Sequence, residues 1–109
     1  MNFKEPAQID FSLVRGDSRV KRFDITLDGV ALNVSSGTID WKATNSGSTI
    51  GPILGSVGGA GNNEVTITFT PTHTATLGVY RYDLQQTDGT DRYTYAIGTL
   101  TVSQDVNLI

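Results

Sequence analysis

Apolar and polar residues alternate with a period of two along most of this chain, a pattern that suits strands with one buried face. Ile9, Phe11 and Leu13 are separated by Asp10 and Ser12. Phe23, Ile25 and Leu27 are separated by Asp24 and Thr26, and Ile39, Trp41 and Ala43 by Asp40 and Lys42. Val65, Ile67 and Phe69 alternate with threonines, and Tyr80, Tyr82 and Leu84 with Arg81, Asp83 and Gln85. Tyr93, Tyr95 and Ile97 continue the pattern up to Gly98, after which Leu100 and Val102 hold the opposite parity. A change of parity inside one strand predicts a β-bulge near Gly98.

The segments between these runs carry turn chemistry. Arg15-Gly16-Asp17 reads as a turn, and Asp28-Gly29 as a hairpin followed by a short extended piece with Val30 and Leu32. Asn45 to Thr49 is a polar turn. Ile50 to Val57 is apolar but interrupted by Gly51, Pro52 and Gly55, which predicts a weak or edge strand. Gly58 to Asn63 is expected to be the most flexible segment, and Thr87 to Asp91 a hairpin. One segment suits a helix: Thr70 as N-cap, Pro71 at the first position and Gly78 as C-terminal cap. Thr72 to Leu77 leaves room for less than two turns.

At 109 residues the chain is read as one domain, residues 1–109. A domain of this size buries roughly 65% of its unfolded-chain surface, enough for one core without staples. Charged residues make up 17%, below the roughly 25% of an average domain. The 15 Thr and 8 Ser fill that gap, and threonine is β-branched and favours pleated surfaces. Seven or eight short strands, regular turns and one short helical turn predict an all-β, two-sheet antiparallel sandwich.

An immunoglobulin-like arrangement follows position by position. Trp41 lies on the third main strand, where such domains bury a core Trp. Gly78-Val79-Tyr80 follows the helical turn, at the corner where such domains place a Tyr bonded to upstream backbone. Ile25 and Tyr82 are expected where antibody domains carry their cysteine pair. The expected inward set is Phe11, Leu13, Phe23, Ile25, Leu27, Ile39, Trp41, Val65, Ile67, Phe69, Leu77, Tyr80, Tyr82, Leu84, Tyr95, Ile97, Leu100 and Val102.

Several function classes recede on composition. Net charge is −3 with a pI near 4.8, whereas a domain built on phosphate contacts is usually basic, so nucleic acid is not expected as a partner. The chain has no Cys, which removes disulfides, thiolate catalysis and Cys-based zinc sites. Met1 to Ala7 carries Lys4, Glu5 and Pro6 without an apolar run, so it does not read as a signal peptide. No stretch reaches the roughly 20 apolar residues of a membrane helix. The chain is therefore expected to be made and kept in the cytoplasm, or to leave by lysis or another route without a signal peptide.

Each candidate for chemistry has a simpler explanation beside it. Arg15-Gly16-Asp17 is the triplet that integrins read, but a glycine between strands already has a turn to make. His73 is the only histidine and lacks the partners of a zinc site or a catalytic triad. Asp88, Gly89 and Asp91 lack the ligand spacing and terminal Glu of a calcium loop, and a hairpin explains them. Gly58 to Gly61 lacks the Lys and the following helix of a phosphate loop. Arg15, Arg19, Lys21 and Arg22 could face an acidic partner, but edge-strand charge that blocks aggregation is the favoured reading. Tyr80, Tyr82, Tyr93 and Tyr95 could present a ring platform, yet their alternation with polar residues assigns them inward. No catalytic, cofactor-binding or metal-binding residue is assigned, and no cofactor or small-molecule substrate is expected.

Phe11-Ser12-Leu13-Val14-Arg15-Gly16-Asp17-Ser18, Phe23-Asp24-Ile25 and Asp28-Gly29-Val30-Ala31-Leu32-Asn33-Val34-Ser35 form a characteristic opening. Thr74 to Leu77, then Gly78-Val79-Tyr80-Arg81-Tyr82-Asp83-Leu84, and finally Gly98-Thr99-Leu100-Thr101-Val102, complete the pattern. Over residues 9 to 103 this resembles the N-terminal domain of the phage baseplate upper protein family and related small immunoglobulin-like domains of tailed-phage virions. The motifs consist of turn and core residues, so they specify a domain type more than a role. Baseplate upper proteins continue into a long C-terminal region, while this chain ends at Ile109. The resemblance therefore implies an adaptor or decoration rather than a baseplate arm, with Arg15-Gly16-Asp17 as a family turn.

Three functions compete. The preferred one is a non-enzymatic structural protein of a tailed-phage virion, in tail, baseplate or neck, contacting other virion proteins and expected to form a homo-oligomer. A carbohydrate-binding or host-surface adhesion module needs exposed rings. An enzyme needs converging acid, base or nucleophile, and scattered Asp residues do not supply them. The expected edges are Ile9 to Leu13 and Ile50 to Val57, and the apolar Val106, Leu108 and Ile109 are expected either to tuck under the domain or to pack on a neighbour.

Overall fold

The computed structural model describes residues 6–104, and the alternation of the sequence becomes eleven strands there. They are β1 (Ala7–Gln8), β2 (Phe11–Val14), β3 (Arg19–Asp24), β4 (Thr26–Leu27), β5 (Val30–Ala31) and β6 (Thr38–Thr44). They continue as β7 (Thr49–Leu54), β8 (Ser56–Gly58), β9 (Glu64–Phe69), β10 (Gly78–Asp88) and β11 (Asp91–Ser103). The apolar Val106, Leu108 and Ile109 lie outside the described residues, as does Met1 to Glu5.

The large sheet runs β1-β11-β10-β6-β7, with β2 also on β11, and the small sheet runs β3-β9-β8. The fold is an immunoglobulin-like β-sandwich. β3, β9 and β8 take the places of strands B, E and D, while β7, β6, β10 and β11 take those of C′, C, F and G. One core joins the sheets: Phe23, Val65, Ile67 and Phe69 of the small sheet pack with Trp41, Tyr82, Leu84 and Leu100 of the large one. Trp41 is fully buried, stacks on Tyr82 with centroids 5.4 Å apart and meets Phe69 edge-on at 4.9 Å. Such ring pairs add about 0.5–1.5 kcal/mol beyond burial. The Trp41 indole nitrogen is buried without a hydrogen-bond partner among the described residues.

The tyrosine corner forms as expected. The Tyr80 hydroxyl donates to the Thr76 carbonyl at 2.9 Å. The ring facing Tyr82 from the small sheet is Phe23, at 6.2 Å, and not Ile25. β3 ends at Asp24, and Ile25, buried in the core just beyond it, donates its N–H to the Asn63 carbonyl.

Other expectations are corrected in detail. The sandwich is not wholly antiparallel, because β1 and β2 both pair parallel with β11. The apolar run from Ile50 to Val57 is two strands, β7 in the large sheet and β8 in the small one. Gly55 makes the crossing, where a Cβ would lie 2.8 Å from a Val65 methyl and 3.1 Å from an Ile39 methyl. Both pieces are sheet edges, as are β1 and β2. Asp28 and Gly29 have φ of 53° and 80°, the left-handed pair a type I′ hairpin requires, and β4 and β5 form a separate ribbon.

The expected helix is a hydrogen-bonded turn, with His73 and Thr74 N–H groups both reaching the Thr70 carbonyl. Too few residues remain before β10 to add a second turn, and Leu77 is left 41% exposed instead of inward. The bulge lies at Tyr95, not Gly98: Leu84 registers with Ala96 and Gln85 with Thr94, so Tyr95 is the extra residue on β11. Tyr95 and Ala96 are consequently both buried, and Ile97 turns to the outer face, half-buried rather than in the core. Gly98 has another task, since a Cβ there would come within 2.0 Å of the Ile9 carbonyl oxygen. Val34, Ala43, Ile50 and Ala96 join the core beyond the expected set.

Candidate protein-contact face

The outer face of the large sheet is built by the residues that alternation turns away from the core. On β10 and β6 these are registered in pairs: Arg81 opposite Thr44, Asp83 opposite Lys42, and Gln85 opposite Asp40. On β11, Thr99 stands beside Arg81 and Ile97 beside Asp83, and Gln8 of β1 continues that row. Leu54 of β7, 72% exposed, registers with Asp40 at the other side. A concavity of about 620 Å³ follows these rows, lined by Gln8, Lys42, Thr44, Arg81, Asp83 and Ile97 among others. Short threonines and glutamines between the charges make a broad, moderately polar surface.

The charges on this face have no ion pairs among the described residues. Among the described residues the three ion pairs join Arg19 to Asp17, Arg22 to Asp24 and Arg22 to Glu64, all elsewhere. Burial holds the Asp83 carboxyl above the usual carboxylate range, Asp40 raises it further, and Lys42 acts in the opposite direction. Gln85 spends its amide on Asp83 at 3.5 Å and Thr94 at 3.2 Å. The alternation marked Asp40, Lys42, Arg81 and Asp83 as outward, but not that they meet on adjacent strands. Opposite signs at outward positions of two strands were the only available signal.

The residues singled out in the sequence are dispersed. The Arg15-Gly16-Asp17 turn is clamped to the Thr70–Thr74 turn. Gly16 N–H reaches the Thr74 side-chain oxygen at 3.0 Å, and that hydroxyl donates to the Asp17 carbonyl at 3.0 Å. Arg15 N–H bonds the Ser103 carbonyl at 2.9 Å, and Asp17 is paired with Arg19. His73 accepts the Thr70 N–H on Nδ1 at 3.0 Å, which places it as a cap for the turn. Asp88 accepts from the Ser36 hydroxyl at 2.8 Å and closes the β10–β11 hairpin opposite Asp91. Gly58 to Asn63 is an anchor: Ile25 and Val34 donate backbone N–H groups to Asn63 and Asn62.

The basic cluster sits on β3, an edge strand of the small sheet. Lys21 registers with buried Ile67, so it points inward and lays its ammonium 5.3 Å from the Phe11 ring and 5.5 Å from the Phe23 ring. An inward-pointing charge on an edge strand hinders pairing with another sheet. The aromatic rings face the core: Trp41, Tyr80, Tyr82 and Tyr95 are buried, and Tyr93 is half-buried. The Tyr95 hydroxyl donates to Gln86, whose amide in turn donates to the Val34 carbonyl at 3.3 Å and to that of Ser36. This buried network fixes the connection into β6.

No family model matches the chain, and no curated protein matches it. Among solved structures it is similar to a chain of the titin M10–obscurin-like 1 Ig complex, at 15% identity and a TM-score of 0.47, covering 94% of this chain and 93% of that one. A chain from a structure on T-cell specificity and activation by the bacterial superantigen toxic shock syndrome toxin-1 matches at 16% identity and 0.46, covering 90% and 94%. A DUF4784 family protein from Bacteroides caccae matches at 14% and 0.42, over 94% of this chain and 23% of that one. At these identities and scores the similarity extends to no function.

Proposed function

We propose that this chain is a non-enzymatic assembly domain of a tailed-phage virion, a component of tail, baseplate or neck that works through broad contacts with other virion proteins. The observation that carries the contact-making part is the outer face of the large sheet. It offers a wide polar surface whose charges Lys42, Arg81, Asp40 and Asp83 have no ion pairs among the described residues. In protein interfaces charged groups are arranged so that opposite signs meet, and a face with both signs and room for a partner suits that arrangement. The phage part rests on the resemblance of the Arg15-Gly16-Asp17 turn, the Asp28-Gly29 hairpin and the Gly78 to Leu84 strand to baseplate upper protein domains. A glycan-binding or adhesion module would favour exposed rings, and the described aromatic side chains are buried or half-buried.

The test is to purify particles from the source phage and probe them with antibody against this chain. The protein is expected to co-sediment with intact particles and to be labelled at the tail, baseplate or neck. Complete particles that lack the protein, together with no binding to any purified virion component, would overturn the proposal.

A further inference from the structure

We infer that the outer face of the large sheet is a two-fold interface with a second copy of this chain, centred on Lys42 and Asp83. The inference rests on the assembly reading above and names the partner for that face. Its basis is the register of two neighbouring strands. Asp83 on β10 stands directly opposite Lys42 on β6, Gln85 opposite Asp40, and Arg81 opposite Thr44.

Consider a second copy laid face to face, related by a two-fold axis that runs along the seam between β6 and β10. That operation exchanges the two strands and keeps each row in place. Every residue then lies over the position of its own cross-strand partner. Asp83 of each copy meets Lys42 of the other, Arg81 meets the Thr44 hydroxyl, and Asp40 meets the Gln85 amide, which exchanges its long 3.5 Å bond to Asp83 for the new carboxylate. All six contacts join a donor to an acceptor, and no like charges coincide. An axis across the strands through the Asp83 row would instead set Asp83 on Asp83. The face is thus self-complementary in the way an isologous interface requires.

The geometry tolerates the natural twist of sheets. Aligned sheets pack at about 30°; Lys42 and Asp83 at the centre lie only about 2.5 Å from the rotation centre and move by about 1 Å, whereas the rows two residues away along the strands move by about 3.5 Å, a shift the long Arg81 and Gln85 side chains can follow. The central Lys42–Asp83 pairs are therefore the least disturbed. Five strands at about 4.8 Å spacing and seven residues of β6 give a face of roughly 600 Å² per copy. The total of roughly 1,200 Å² lies at the lower limit for stable, specific contacts, so association in the micromolar range or weaker is expected.

Sedimentation velocity of the full chain, up to about 500 μM, reads the association directly. The unchanged protein is expected to form dimers. Lys42→Glu and Asp83→Lys each place like charges opposite one another twice per dimer and should weaken dimerisation by about 100-fold or more. The combined Lys42→Glu/Asp83→Lys protein restores opposite charges and should recover dimerisation to within about tenfold of the unchanged protein. Near-unchanged circular dichroism and unfolding midpoints would show that each variant is folded, and a variant that fails this is replaced by Lys42→Gln with a smaller expected loss. The inference is overturned if the unchanged chain stays monomeric, if the single variants dimerise like it, or if the double exchange rescues nothing. A monomer that binds a purified virion component through Lys42 and Asp83 overturns the inference and leaves the assembly reading standing. A monomer that binds none and is missing from particles removes both.

Discussion

The Tyr80 hydroxyl donates to the Thr76 carbonyl, four residues upstream, across 2.9 Å. The bond ties the turn after β9 to the start of β10, while the Tyr80 ring lies wholly in the core. Tyr80→Phe keeps the ring and removes the bond, so it should lower unfolding free energy by about 1 kcal/mol with little change in urea dependence. A loss below about 0.3 kcal/mol would mean that the corner is held by packing alone.

Trp41 touches Phe11, Phe69 and Tyr82 and has no exposed surface. Trp41→Ala should cost about 3–5 kcal/mol in equilibrium unfolding. Trp41→Phe keeps an aromatic face and removes the indole N–H that lacks a partner among the described residues, so its cost should be clearly smaller. Equal costs for the two would show that the ring contacts contribute little.

Gly98 lies where β1 runs into the β11 backbone. A Cβ there would sit 2.0 Å from the Ile9 carbonyl oxygen and 3.1 Å from an Asp10 carboxyl oxygen. Gly98→Ala should destabilise by about 1–3 kcal/mol, and hydrogen exchange should locate the loosening at the Ile9 N–H, which bonds the Ile97 carbonyl. Unchanged protection of that amide would contradict the close approach.

Burial pushes the hydroxyls of Tyr82 and Tyr95 up to about 12, with Asp10 adding to the first and Tyr93 to the second. In the unfolded chain they titrate near 10. Between these values the folded state holds protons that the unfolded state releases, so stability is intact below pH 10 and falls as pH rises toward 12. The slope approaches about 1.4 kcal/mol per pH unit for each group. Ionisation also removes the protons that Tyr82 donates to the Ile9 carbonyl and Tyr95 to Gln86. Alkaline titration should show unfolding in this window, and Tyr82→Phe/Tyr95→Phe should flatten the slope. Phenolate formation at both sites near pH 10 with the fold intact would refute the assignment.

Much of the sandwich was legible in the sequence because burial of one strand face leaves a period of two. Trp41, Val65, Ile67, Phe69, Tyr80, Tyr82 and Leu84 needed no other information. Asp28-Gly29 was equally plain, since the left-handed turn of a tight hairpin favours those residues. The candidate face was legible only in part: outward residues could be named, but not which of them become neighbours.

Local patterns carry no information about which strands pair, and tertiary structure decided that. The pairing put Lys42 opposite Asp83, split the Ile50 to Val57 run between two sheets, and laid β1 and β2 parallel to β11. The parity change signals a bulge near Gly98, whereas the extra residue is Tyr95, three positions earlier, because Tyr95 and Ala96 both find room in the core and the change of face occurs between them. By itself the sequence determined that strands form, where most of them turn and which side of each is apolar, because those properties depend on neighbours along the chain. Sheet order, register and the charge arrangement of the outer face depend on residues up to ninety positions apart, whose contacts only the packed core selects.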